Sequence, residues 1–423
     1  MLIYLDASLN EYIQSKGTLD YKEINAIENI FISHKNRNHL VIAGRKCLET
    51  LMRLDGISTL TKRQIEIIDH DITTLLGVSN NVSTKIVVKP SNTSFMRNSV
   101  SAKSDILDSY RYENTIFEVP LIQFSNPELL EKTRLVAEHL DDCYFYEFIG
   151  NEFSELKTFP FRISFDRQHG GGNDTYRIFE EKILNQNIVF SLVDSDKRDN
   201  KAELGTTAKQ VLEKYEQHKG TSIIGCEILP VHEKENLFPS IIYEHFGNNP
   251  RKNALEQLKI LGNSDVSCLY FPYIDIKKGM NSSNYVPYFE GLFDIKHLIP
   301  KTEESRRNFD NEFVGEKEEF IQYCDEQQKL PKSERVNKYL IEPLSSNPLV
   351  NFNVEKEIDK LHQSIEQLTH SKAPQHIIER KKEKLNVLLN ISKYLLDYQK
   401  EYFRIVGTKI KEWGLSNHKY STY

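Results

Sequence analysis

Arg134-Leu-Val-Ala-Glu-His-Leu-Asp-Asp-Cys-Tyr-Phe-Tyr146 is a short apolar run that ends in an acidic residue and continues into a helical pattern. The same order returns in Ile188-Val-Phe-Ser-Leu-Val-Asp-Ser-Asp196, which a helical pattern at Lys209–Gln217 follows. Strands that alternate with helices of this length predict βαβ units around a parallel sheet. The predicted fold class is therefore α/β, with a Rossmann-like parallel sheet flanked by helices.

Other segments extend this pattern toward both ends of the chain. Phe161–Phe165 and Ser222–Ile228 read as further strands, and Thr175–Leu184 reads as a helix. From Pro90 to Ser104 the sequence is rich in Ser, Asn and Thr, which is typical of a loop or linker. The predicted organisation is an N-terminal α/β unit over 1–90, a linker over 91–112, a central α/β domain over 113–300 and a helical region over 301–423.

The helical C-terminal region has a heptad seam and a second apolar helix. The seam consists of Val354, Ile358, Leu361, Ile365 and Leu368. A second helix is predicted after Pro374 and extends through Ile405, and the short break between the two predicts an antiparallel αα-hairpin. Two interpretations stay open: a structural arm, or a helix pair for dimerisation or partner docking.

Composition excludes several classes of protein. Of the 423 residues, 39% are hydrophobic and 27% charged, and no apolar run approaches the ~20 residues that a transmembrane helix needs. The first residues lack the pattern of a signal peptide, so a cytoplasmic protein is expected. Five distant cysteines without a CxxC motif predict neither a zinc site nor a disulfide framework. A net charge of −6 argues against a generally basic nucleic-acid coat but allows a local positive groove.

Acidic residues follow the predicted strands of the parallel sheet. Glu138 ends one strand, Asp194 and Asp196 end another, Glu235 follows a third, and Asp142 lies in the first turn of a helix. Ligands of open α/β sheets bind at the carboxyl ends of the strands, where such side chains converge. Clustered carboxylates repel one another unless a cation neutralises them, and hard oxygen ligands suit Mg²⁺ or Mn²⁺. The alternative is a set of ordinary acids at helix N-termini.

Two other features are weaker signals. Asp69-His70-Asp71 repeats the Asp-x-Asp spacing but lies within a helical pattern, where the two acids diverge, so it is interpreted as solvated helix surface. The run Gly170-Gly171-Gly172 either lets the backbone approach a phosphate or is a flexible connection.

Together, four segments resemble the TOPRIM domain: Glu138–Tyr146, Gly170–Gly172, Asp194-Ser-Asp196 and Glu235-Asn236. The similarity covers Thr133 to Pro239 and is closest to the nucleases of the overcoming-lysogenisation-defect kind in bacterial anti-phage defence. The resemblance implies that Glu138, Asp194 and Asp196 bind the catalytic metal ions, with Asp142 and Glu235 in support. His139 stands where that family has a glycine, which makes the match less specific.

The resemblance also implies an activity, partners and a further residue. The expected activity is metal-dependent hydrolysis of phosphodiester bonds in DNA or RNA, with a site for two Mg²⁺ or Mn²⁺ ions. A basic residue that stabilises the transition state is expected downstream, and the candidates are Lys277 and Lys278. Because the chain has no GxxxxGK[ST] motif, an ATPase is expected as a separate partner. The C-terminal helices are the expected place for this partner to dock or for a homo-oligomer to form.

Two other functions remain as alternatives. Asp6 at the end of the first strand and Glu49 on a later helix resemble the opening of a PIN-type ribonuclease, although no later strand before residue 91 carries the further acids that this family needs. The other alternative is a non-catalytic TOPRIM-like subunit that binds or regulates a partner.

Overall fold

In the computed structural model, residues 1–104, 111–199, 201–247, 271–281, 317–331 and 352–417 are described, together with 255, 288, 334, 340–341 and 349. Residues 105–110 of the predicted linker and much of 248–351 lie outside the described residues.

The described strands and helices alternate along most of the chain. The strands are β1 (Leu2–Leu5), β2 (Leu40–Ala43), β3 (Lys85–Lys89), β4 (Met96–Lys103), β5 (Arg111–Pro120), β6 (Thr133–Ala137), β7 (Arg162–Ile163), β8 (Phe165–His169), β9 (Val189–Val193), β10 (Ile224–Ile228), β11 (Met280–Asn281), β12 (Leu340–Ile341) and β13 (Leu415–Ser416). The helices are α1 (Ala7–Lys16), α2 (Tyr21–Lys35), α3 (Arg45–Met52), α4 (Thr59–His70), α5 (Ile72–Asn81), α6 (Leu140–Glu152), α7 (Thr175–Leu184), α8 (Thr206–His218), α9 (Ser240–Phe246), α10 (Lys317–Gln328), α11 (Val354–His370), α12 (Gln375–Leu389) and α13 (Asp397–Gly414).

The first sheet has the strand order β2-β1-β3-β5-β4. Its first four strands are parallel, and β1, β2 and β3 are buried apolar runs, as expected when helices cover both faces. The prediction of a linker is wrong for Met96–Lys103, which forms β4 and pairs antiparallel with β5. This strand is mostly exposed at the sheet edge, so its polar sequence lacks the apolar alternation that would have revealed it.

The second sheet carries the quoted βαβ pattern and has the order β10-β9-β6-β8. All four strands are parallel, and α6, α7 and α8 connect them, which confirms a mixed α/β fold with a parallel sheet flanked by helices. The strand predicted at Phe161–Phe165 is instead β8 at Phe165–His169. The residues before it form β7, which pairs with β13 rather than with this sheet.

The C-terminal helices differ in part from the prediction. Helices α11 and α12 do pack together as a hairpin, but α12 ends at Leu389 instead of continuing through Ile405. The chain turns at Ile391–Lys393, and α13 starts as a separate helix that packs along α6 and is buried over most of its length. No described helix is long and apolar enough to cross a membrane.

Helix α13 joins the two sheets through one side chain. The ring of Trp413 stacks on Phe190 of β9 at 5.0 Å between centroids and meets Phe117 of β5 edge-on at 5.7 Å. Gly225 of β10 makes room for this ring, because a Cβ there would lie 2.5 Å from Trp413 Cζ2. The C-terminal helix is therefore part of the core rather than an exposed arm.

Replacing Gly225 with alanine should lower the free energy of unfolding by about 1–3 kcal/mol, since overpacking a fixed aromatic ring forces local shifts. Urea denaturation measures this change. Gly77→Ala is the matched control: the same methyl group meets nothing within 4 Å there and lies in a helix, so stability should hold or rise by up to ~1 kcal/mol. Equal effects at the two positions would contradict the packing of Trp413.

Candidate functional site

The carboxyl ends of β6, β9 and β10 meet at one edge of the second sheet, and acidic residues follow all three strands. These acids interact electrostatically with one another and are called the acid cluster below. The acid cluster consists of Glu138, Asp142, Asp194, Asp196, Glu233 and Glu235. The structure thus brings together all five acids predicted from the sequence, together with Glu233, which follows the same strand as Glu235.

The pKa values of Glu138 and Asp194 are raised in this cluster. Burial raises the pKa of Glu138 to about 7, and repulsion by Asp196 and Asp142 adds to that rise. Burial also raises the pKa of Asp194 well above its usual value, and repulsion by Glu138 is the largest contribution after burial. Both carboxylates are thus held where the charged form is disfavoured, which is a frequent property of functional sites.

Lys234 is a site residue that the sequence analysis missed. It is 5% exposed, and its Nζ forms an ion pair with the Asp142 carboxylate, which also caps α6 by accepting a hydrogen bond from the His139 amide at 2.9 Å. Although burial lowers the pKa of Lys234, Asp142 and Glu235 outweigh it and raise that pKa. A lysine between two glutamates resembles an ordinary surface charge run, so its sequence gave no signal.

Lys277 neutralises a different part of the acid cluster. Its Nζ lies 2.8 Å from Glu233 Oε2 and 3.1 Å from Glu235 Oε2. Burial raises the pKa of Glu233 to about 7, so this lysine offsets only part of the cost. Both predicted basic residues, Lys277 and Lys278, line the cavity at this site. The side chain of Lys278 is exposed, and its backbone amide donates a hydrogen bond to Asp275 Oδ1 at 2.7 Å.

The backbone conformation of Asp196 differs from the extended one that the sequence predicted. Strand β9 ends at Val193, and Asp196 has a left-handed backbone with φ of 52°, so the extended-chain argument for its direction does not apply. A Cβ at Gly205 would lie 2.3 Å from Asp196 Oδ2, so that glycine leaves space for the carboxylate. Asp196, Glu233 and Lys277 line a cavity of about 490 Å³.

The two lysines leave three members of the acid cluster unneutralised. Within the described part of the chain, Glu138, Asp194 and Asp196 form no ion pair, and Glu138 Oε1 is buried without a hydrogen-bond partner. Glu233 Oε1 is likewise buried and unpartnered. Among the residues described, no three His, Cys, Asp or Glu side chains converge closely enough to hold a metal ion as they stand.

A buried pair of a histidine and an aspartate, His232 and Asp275, borders the same cavity. His232 Nδ1 contacts the Lys197 carbonyl at 2.8 Å, and its Nε2 lies 3.7 Å from Asp275 Oδ2. Burial lowers the pKa of His232, but Asp275 and Glu233 outweigh burial and raise it. This pair fixes the loop after β9 against the segment that carries Lys277.

The glycine run is part of the scaffold around Glu138. The amide of Gly170 donates to the Ala137 carbonyl at 2.7 Å, and that of Gly171 to the Glu138 carbonyl at 3.1 Å. Gly171 and Gly172 have φ of 77° and 64°, which suits glycine. Because these amides already donate to the protein, the geometry favours a connecting role over the predicted phosphate-binding one.

Among the described N-terminal residues, Asp6 shares Lys89 with Glu118 of β5, whose Oε1 lies 4.0 Å from Lys89 Nζ. Asp6 caps α1, accepts a hydrogen bond from the Ser8 amide at 3.0 Å and lies 3.3 Å from Lys89 Nζ. Glu49 is exposed on α3. Asp6 is thus already satisfied as a helix cap, which weakens the PIN-type alternative.

Comparison with protein families, with curated proteins and with solved structures found no match to this chain.

Stability should depend on pH through Glu138. The folded protein keeps a proton up to pH about 7 that the unfolded chain loses near pH 4.5, so the free energy of unfolding falls as pH rises through this window. Glu138→Gln removes the ionisable group, so the decrease in the free energy of unfolding between pH 4.5 and about 7 should become smaller by about 1–3 kcal/mol. Chemical denaturation at several pH values measures it. Exposed Glu49→Gln is the control, and a fall unchanged by Glu138→Gln contradicts the desolvation of this carboxyl.

Removing the charge of Lys234 should destabilise the fold. Lys234→Met leaves Asp142 buried without its cation, which costs about 3–5 kcal/mol. The control is Lys278→Met, whose side chain is exposed and should change stability by less than about 0.5 kcal/mol. Equilibrium unfolding in urea compares the two, and similar values for both lysines would show that the Asp142–Lys234 pair is not buried.

Proposed function

We propose that this chain is a metal-dependent nuclease with a TOPRIM-like catalytic sheet that hydrolyses phosphodiester bonds of DNA or RNA. The observation that carries the proposal is that three acids of the acid cluster pair with lysines and the other three do not. These lysines pair with Asp142, Glu233 and Glu235, and the three acids without an ion pair in the described structure are those that the family resemblance assigns to metal.

The donor set suits a hard divalent cation. Glu138, Asp194 and Asp196 offer only carboxylate oxygens, which are the ligands that Mg²⁺ and Mn²⁺ prefer. The unpartnered Oε1 of Glu138 and the raised pKa values of Glu138 and Asp194 indicate a missing positive charge. These three residues would hold the cation after side-chain adjustment, with Glu235 in support. When bound, a divalent cation activates water and stabilises the leaving oxygen.

The chain's own cations fit the remaining roles. Lys277 is one-third exposed and lies beside the cavity that Asp196 lines, so it is placed to contact a phosphate oxygen that carries developing charge. Lys234 is buried against Asp142 and acts as a positioning residue that holds the loop after β10 against α6. Lys278 is not required by this arrangement.

The biological setting is proposed from the resemblance alone. A nuclease of this kind would act as the effector of a bacterial anti-phage defence system, and an ATPase partner would control it. The α11–α12 hairpin is the proposed docking or oligomerisation element, because its outer faces are largely exposed. The non-catalytic alternative would leave the three unneutralised acids without a purpose.

The experiment is a cleavage assay on plasmid DNA and on transfer RNA with Mg²⁺ or Mn²⁺. Asp194→Asn and Lys277→Ala should each lower cleavage by about 10²-fold or more, because the first removes a ligand of the cation and the second removes a positive charge beside the reacting phosphate. Asp69→Asn is the matched control, since it alters the Asp-x-Asp of helix α4 and should leave cleavage unchanged. Loss of cleavage in Asp6→Asn alone would instead support the PIN-type site, and no cleavage by the unaltered chain, with or without a partner ATPase, would contradict catalysis.

A further inference from the structure

The cavity of about 490 Å³ that Asp196, Glu233 and Lys277 line also has walls that the proposed cleavage step does not use. Arg198 and Lys278 belong to its lining, and both side chains are exposed. Its volume lies within the ~300–1,000 Å³ of small-molecule sites. The cavity is therefore large enough to hold more of a substrate than the reacting phosphate.

Asp196 belongs both to this cavity and to the proposed cation site. Gly205 precedes α8, and a Cβ there would lie 2.3 Å from Asp196 Oδ2, so the start of the helix touches that carboxylate. The Asp196 amide donates to the His232 carbonyl at 2.9 Å, and Glu233 is the next residue. A phosphodiester held at the cation site would therefore have its neighbouring sugar beside this cavity.

Positive groups of the lining favour an anionic chain. Helix α8 has 13 residues, no acidic residue in its first turn and no side chain that caps it, and Thr206 of that turn lines the cavity. The first amides of such a helix attract anions. Because a nucleic-acid strand carries one phosphate per nucleotide, this helix end, Arg198 and Lys278 need not converge on a single anion.

Glu233 supplies an acceptor that lacks a donor. The residue lines the cavity and is 7% exposed, and within the described structure its Oε1 is buried without a hydrogen-bond partner. Its other oxygen, Oε2, lies 2.8 Å from Lys277 Nζ. Since that lysine already supplies a positive charge, Oε1 lacks a hydrogen-bond donor rather than a cation. In this respect Glu233 differs from Glu138, which forms no ion pair in the described part of the chain.

The adjacent acceptor and cation match two adjacent groups of a ribonucleotide. In RNA the 2′-hydroxyl, which can donate a hydrogen bond, and the 3′-phosphate, which is an anion, are attached to neighbouring carbons of one ribose. Lys277 is placed for a phosphate oxygen, and Glu233 Oε1, on the carboxylate that this lysine contacts, can accept from the hydroxyl. A carboxylate is also the group that reads a ribose 2′-hydroxyl in dinucleotide-binding folds.

We propose that the substrate is RNA, with the 2′-hydroxyl beside the cleaved bond donating to Glu233 and neighbouring backbone phosphates held by the α8 N-terminus and Lys278. This proposal rests on the proposed nuclease function and names its substrate class. DNA would supply the same phosphates but would leave Glu233 Oε1 without a donor, which is costly for a buried acceptor. A cation at Glu233 would instead give no preference between RNA and DNA.

The test is fluorescence anisotropy of the full chain with short single-stranded RNA, DNA and 2′-fluoro RNA of one sequence. EDTA prevents metal-dependent cleavage, and pH 8 lies above the pKa of about 7 of Glu233. RNA should bind at least about fivefold more tightly than the other two, since 2′-fluoro RNA keeps the ribose shape but lacks the donor.

Variants of Glu233 show whether this residue reads the hydroxyl. Glu233→Ala should remove the preference for RNA, whereas Glu233→Gln keeps an acceptor oxygen and should retain it. The ratio of the RNA and DNA affinities is compared within each variant, so any change at Lys277 cancels. Glu203→Ala, at an exposed glutamate of the same lining, is the matched control and should leave the ratio unchanged.

The phosphate contacts are tested separately. Lys278→Ala should weaken RNA and DNA equally, by about twofold to fivefold, because a backbone contact carries no sugar preference. Arg63→Ala, at an exposed arginine of α4, is its control and should leave both affinities unchanged.

Equal affinities for RNA and 2′-fluoro RNA, a preference that survives Glu233→Ala, or no binding of RNA at about 100 μM would overturn the proposal. Cleavage of plasmid DNA but not of transfer RNA would also overturn it, while the nuclease function would stand. Conversely, preferential binding of RNA without cleavage of either substrate would contradict the nuclease function and leave recognition of RNA at this cavity.

Discussion

Repulsion among carboxylates gathered at one sheet edge is the constraint around which this molecule is arranged. Six acids follow three parallel strands, and burial weakens the solvation of Glu138, Asp194 and Glu233. Two lysines neutralise part of this negative charge, since Lys234 pairs with Asp142 and Lys277 pairs with Glu233 and Glu235. Burial, and after it the repulsion that the lysines leave, raises the pKa values of Glu138 and Asp194. In the proposed function a divalent cation would neutralise these carboxylates.

A network of hydrogen bonds around Asn236 connects the loop that carries Glu233 and Glu235 to helix α13. Asn236 is fully buried, and its Nδ2 donates to the carbonyls of Phe271 and Ile274 at 3.0 and 2.9 Å, which fixes the segment that carries Lys277. Its own carbonyl accepts hydrogen bonds from Tyr398 Oη and Gln399 Nε2 of α13. The same helix inserts Trp413 between the sheets. Helix α13 therefore joins the acid cluster, the Lys277 segment and the two sheets in one packed unit.

The parts of the fold and site that could be predicted from the sequence are those that depend on patterns of neighbouring residues. Apolar runs followed by helical patterns revealed β6, β9 and β10 and the three helices α6, α7 and α8, and the rule that strand ends converge predicted five acids of the cluster. Strand β4 was missed because an exposed edge strand needs no apolar face. Lys234 was missed because its partner Asp142 lies 92 residues away in the chain. The left-handed Asp196 and the break before α13 depend on tertiary packing that no local pattern encodes.

The central claim is that Glu138, Asp194 and Asp196 form a cation site, and proton release on Mn²⁺ binding tests it most directly. At pH 6.5 a carboxyl with a pKa of about 7 is largely protonated, so a bound cation must displace protons. The account predicts saturable Mn²⁺ uptake by the full chain with release of up to about one proton per affected carboxyl, and loss of both in Asp194→Asn. Uptake and proton release that are unchanged in Asp194→Asn, or no saturable uptake by the unaltered chain, would contradict it.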